Sequence, residues 1–147
     1  MAGRVKQAAA EEGLTYASER IARQPNTLDC HRLIRWAGPN AGRMKQRLMD
    51  LYFAEGGDLT DMDVLVQAAE DCGLDGSCVR AKLASDDDVA AVDAEARRAT
   101  ELGISGVPCF IFGNALAVSG AQAPDYLAGA MDRAYRSLLE QRSATQA

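Results

Sequence analysis

The sequence predicts an α/β domain in which a large all-helical segment separates two shorter regions of different character. Three observations carry this prediction. From Leu28 to Gly103 the apolar residues recur at spacings of three and four, the helical period, punctuated by glycines and capping residues. Two short apolar runs, Val107–Phe112 and Ala115–Ser119, flank Gly113-Asn114, a pair that suits a tight hairpin. The chain has 147 residues, 48% hydrophobic and 25% charged, enough for one real core, and no repeat or linker marks off independent domains.

The elements follow in order. A short helical pattern covers Arg4 to Glu12 and stops at Gly13. Leu14 to Ile21 then reads as a strand, with Thr15 and Tyr16 suited to a pleated surface. Pro25-Asn26-Thr27 supplies a turn and an N-cap for a helix from Leu28 to Ala37, stopped by Gly38-Pro39. A second helix, Ala41 to Glu55, carries Met44, Leu48, Leu51 and Tyr52 on one face and ends at Gly56-Gly57. Thr60 to Asp63 resembles a capping box opening a helix to Gly73, and Asp75 can cap a shorter one through Leu83. Ser85 with Asp88 is read as the cap of a helix that reaches Gly103, with Asp86-Asp87-Asp88 in a first turn where the helix dipole favours acid. After the hairpin, Pro124 opens a final helix with Leu127, Ala130, Met131, Ala134 and Leu138 in one stripe, and 143–147 is read as a frayed tail. These elements divide the chain into 1–27, the helical segment 28–101, a ββα region 102–142, and the tail.

Composition excludes several classes. A net charge of -5 and a pI near 4.9 argue against a nucleic-acid surface, which needs clustered Lys and Arg. The first residues, MAGRVKQAAAEEG, lack the unbroken apolar core of a signal peptide, and no apolar stretch is long enough to span a membrane. A cytoplasmic location with reduced thiols is therefore expected for Cys30, Cys72, Cys78 and Cys109. No dinucleotide, P-loop, hydrolase-elbow or zincin motif occurs, one histidine rules out multi-histidine metal sites, and no metal is expected. Cys30-His31 has the composition of a nucleophile and base, yet neighbours on a helix point about 100 degrees apart and do not face each other.

The proline remains. Val107-Pro108 precedes an apolar strand, and X-Pro is where cis bonds occur. The succession helix, Ser105-Gly106-Val107-Pro108, strand, turn, strand, Ser119-Gly120, helix has the order of the C-terminal ββα half of a thioredoxin-like domain, in which a cis proline starts the third strand. Three blocks extend the likeness: PNTLDCHRLIRWA (Pro25 to Ala37), FAEGGDLTDMDVLVQAAEDCGLD (Phe53 to Asp75), and LGISGVPCFIF with AVSGAQ (within Leu102 to Gln122). They resemble the DsbA-like oxidoreductases of the FrnE type, a branch similar to 2-hydroxychromene-2-carboxylate isomerases and kappa-class glutathione transferases.

The resemblance implies a thioredoxin-like domain of the DsbA type with a large all-helical insertion. It implies thiol-disulfide oxidoreduction as the family activity, a protein thiol or disulfide as partner, and Gly106, Val107 and Pro108, with His31 and Asn26, as the substrate side. Family members carry a first strand and a CxxC motif at the start of the first helix, where the dipole lowers the thiol pKa. Met1 to Gly13 resembles only the end of that helix, so the chain is expected to be N-terminally truncated relative to the family, and weak or inactive alone. Cys109 is the one candidate for a replacement thiol. Two alternatives stay open: a glutathione-dependent isomerase or transferase, with glutathione held at the proline loop, and a non-catalytic binding module or fragment. Without its usual neighbour the strand at Leu14 to Ile21 is expected to pair with the hairpin or across a homodimer.

Overall fold

The computed structural model describes residues 2–145. The chain forms two compact units, the first running to Glu95 and the second beginning at Ala96.

The first unit is helical. It contains α1 (Ala2–Glu11), α2 (Leu28–Trp36), α3 (Ala41–Met49), a π-helical segment (Asp50–Glu55), α4 (Met62–Asp71), α5 (Gly76–Leu83) and the start of α6 (Val89–Glu101). Its core lies between α2, α3, α4 and α5, where Leu33, Met44, Ala68 and Cys72 are almost wholly shielded from solvent. Two of the helix starts use carboxylates: Asp61 accepts from Asp63 N, and Asp75 from Cys78 N. The cap of α4 is thus Asp61, one residue after the expected Thr60, whose N–H and hydroxyl are both bonded to Asp58. At α2 it is Asn26 Oδ1 that accepts from Leu28 N, at 3.0 Å, while the Thr27 side chain makes no cap bond.

Two further expectations give way. Residues Leu14 to Ile21 form no strand: they are irregular except for a 3₁₀ turn at Ser18–Arg20. The reason lies in where the backbone bonds: Ala17 N bonds to Phe53 O at 2.7 Å and Leu14 N to Ala9 O at 2.8 Å, which ties this segment to helices. The helix expected from Ala41 to Glu55 changes to the wider π-helical winding at Asp50 and stops at Gly56, whose φ of 73° suits glycine. Asp86 to Asp88 precede α6 and do not lie in its first turn. Asp88 has φ 60°, and its carboxylate accepts from Trp36 Nε1 at 2.8 Å and Arg35 Nε at 3.1 Å. Those bonds, the indole first, hold its pKa below the ordinary carboxylate value.

In the second unit β1 (Cys109–Phe112) and β2 (Leu116–Ser119) form an antiparallel hairpin with Phe110 opposite Val118. Gly113 and Asn114 both have positive φ, which tight hairpin turns require. The strands begin later than the apolar runs suggested, so Val107, Pro108 and Ala115 lie outside them. This hairpin is the whole sheet among the described residues. Helix α7 (Pro124–Thr145) packs on both strands, burying Ala130 and Ala134, and Val118 is buried in the hairpin. Met131, expected in the buried stripe, is exposed, and the buried positions of the helix are its neighbours Ala130 and Ala134, four residues apart on one face. Residues 143–145 of the expected frayed tail continue α7, and 146–147 lie outside the described residues.

Candidate substrate-binding site

The candidate residues fall into two groups, one in each unit. In the second unit Gly106, Val107, Pro108 and Cys109 are consecutive and lead into β1. The Val107-Pro108 peptide bond is cis. Pro108 O accepts from Gly120 N at 2.8 Å, which continues the hairpin bonding one step past the strands. Val107 is 91% exposed, and neither its N–H nor its carbonyl has a partner among the described residues. An apolar side chain in water beside a free backbone donor and acceptor is the local equipment of a strand edge that can take an added peptide. Cys109 follows as the first residue of β1, half-buried and opposite Ser119.

The first unit holds Asn26 and His31 near the start of α2. Asn26 is exposed, with its carbonyl oxygen committed to the helix start. His31 is also exposed, and its ring makes no hydrogen bond among the described residues. Cys30 is buried, and desolvation, reinforced by the charge of Asp29, pushes its thiol up to about 11. The thiol of Cys30 is thus buried while the neighbouring imidazole of His31 is exposed.

His31 and Cys30 line a cleft of about 230 Å³ that sequence reasoning did not find. Its walls include Ile34, Leu48, Met49, Tyr52 and Phe53, with Lys45 also lining it. The π-helical segment brings two consecutive rings, Tyr52 and Phe53, to one cleft, edge to face with centroids 4.9 Å apart. The signal in the sequence was the Tyr52-Phe53 pair just before Gly56-Gly57. Regular helical spacing assigned only Tyr52 to the apolar face. No group of His, Cys, Asp and Glu side chains among the described residues could hold a metal ion.

The DSBA-like thioredoxin domain family matches residues 1–132. The chain belongs to that family. A crystal structure of a probable DsbA oxidoreductase from Streptomyces coelicolor superposes with a TM-score of 0.81 at 32% sequence identity, over 90% of this chain and 58% of that one. The chain therefore spans little more than half the length of that protein. No curated protein matches the sequence. The fold is thus thioredoxin-like of the DsbA type, mostly helical, with a small two-stranded sheet. No helix among the described residues is long and apolar enough to cross a membrane.

Proposed function

We propose that this DsbA-like chain binds an extended thiol- or disulfide-bearing peptide along the backbone of Gly106 and Val107, as the substrate side of a thiol-disulfide oxidoreductase. The observation that carries this reading is the free N–H and carbonyl of Val107, held at the entrance to β1 with the side chain almost fully in water. A peptide laid there as an added strand gains main-chain hydrogen bonds, while the exposed Val107 side chain offers apolar contact.

Exchange itself requires a thiolate to attack a disulfide sulfur, forming a mixed disulfide and releasing the other sulfur as thiolate. The sequence contains no CxxC pair, and Cys109 is the one cysteine adjoining the proposed peptide edge. The isolated chain is accordingly expected to bind peptide and to exchange disulfides weakly or not at all. In keeping with a reducing, cytoplasmic setting, Cys30 and Cys72 serve as small buried residues of the helical core.

The same backbone groups would serve the cysteinyl part of glutathione, the basis of an isomerase or transferase reading. Fluorescence anisotropy of a labelled, extended cysteine-containing peptide tests the proposal. Binding should be lost in Val107→Pro, which removes the N–H, and retained in Val107→Thr. Equal binding by Val107→Pro would overturn it, and displacement of the peptide by glutathione but not by a thiol-free dipeptide would favour the second reading.

A further inference from the structure

On α2 and α3 the arginines are all committed. Arg32 donates to backbone carbonyls and Asp29, Arg35 to Asp88 and Glu95, Arg43 to the Asp71 carbonyl, and Arg47 to Glu55 and Asp71. Lys45 and His31 differ. Both are exposed, and neither side chain has a hydrogen bond or ion pair among the described residues. Both line the same cleft of about 230 Å³.

The rest of that cleft is apolar or neutral. Ile34, Leu48 and Met49 form aliphatic walls, Tyr52 and Phe53 supply two rings, and no Asp or Glu among the described residues lines it. A pocket of this kind selects its ligand by shape and by one charge: the body must be apolar, and the lone ammonium favours an anion and disfavours a cation.

We propose that this cleft binds a compact apolar monocarboxylate. The apolar body lies between Ile34, Leu48 and the two rings, and the carboxylate meets Lys45 Nζ at the mouth, with the His31 ring as a second donor. Every residue it uses lies in the first unit.

The test is titration of the full chain, at low ionic strength, with phenylacetate and with its neutral amide, phenylacetamide, followed by backbone amide NMR shifts. Phenylacetate is expected to shift the amides of Ile34, Leu48 and Phe53 and to bind more tightly than the amide. Lys45→Met, a change at an exposed side chain, should weaken phenylacetate about fivefold and leave phenylacetamide unchanged. Phe53→Ala should weaken both. The proposal is overturned if phenylacetate moves none of these amides up to about 10 mM, if the two ligands bind equally, or if Lys45→Met binds phenylacetate like the parent chain.

Discussion

Arg32 is 2% exposed, and its guanidinium donates to the carbonyls of Lys82, Ser85 and Asp87 at 2.6 to 2.8 Å while pairing with Asp29 at 2.8 Å. It stacks on Trp36 with 4.9 Å between the guanidinium carbon and the ring centroid. One side chain thus bonds the carbonyls of Ser85 and Asp87, where the chain turns toward α6, and shares that of Lys82 with the N–H and hydroxyl of Ser85. Removing it takes the donor from the Ser85 and Asp87 carbonyls and the ion pair from Asp29, so Arg32→Ala should cost about 3 kcal/mol in urea denaturation. Arg32→Lys should recover little, because an ammonium cannot reach acceptors arranged for a planar fork. Cys30 gives a second prediction. Its folded-state pKa is raised from 9.0 to about 11, so the thiol stays neutral where the unfolded chain already ionises. The stability this provides is complete below pH 9 and lost as pH rises toward 11, and Cys30→Ala should flatten that alkaline decline. Native alkylation at pH 8 should reach exposed Cys78 well before Cys30.

At the scale of elements, what the sequence revealed depended on how local each signal was. The hairpin was legible because Gly113-Asn114 alone specifies a turn with two positive φ values. The capped helices were legible because Asp75 and the residues around Asp61 act within three positions of themselves. The strand at Leu14 to Ile21 was misread because β propensity describes a fit to a partner, and here the backbone partner of Ala17 is Phe53 O. The π-helical segment escaped because its winding differs from α by less than one residue per turn, too little to disturb the spacing of Leu51, Tyr52 and Glu55. Its end depends on Gly56, at φ 73°, where an added Cβ would strike the Cβ of Arg20. Gly56→Ala should therefore destabilise the chain by about 2 kcal/mol, and it should move the amide resonances of Tyr52 and Phe53 rather than those of α4 or α5.

For the whole molecule, the family assignment covers residues 1–132 and the fold agrees with it, yet the residues read as substrate-binding divide between the two units. The resemblance was visible in the sequence because the blocks around His31 and Pro108 occur in the expected order. The 230 Å³ cleft was not, since it is made by side chains from α2, α3 and the π-helical segment that no single motif contains. In turbidimetric insulin reduction with dithiothreitol, the chain should add little or nothing to the rate of the reductant alone, because no CxxC pair is present. An acceleration that disappears in Cys109→Ser would instead make Cys109 a working nucleophile. The most direct measurement is a backbone amide NMR titration of the chain with an extended cysteine-containing peptide, read at Gly106 and Val107. Saturable shifts of those two amides, with slowed hydrogen exchange at Val107, are the predicted result; shifts confined to other residues, or none, would contradict the peptide edge.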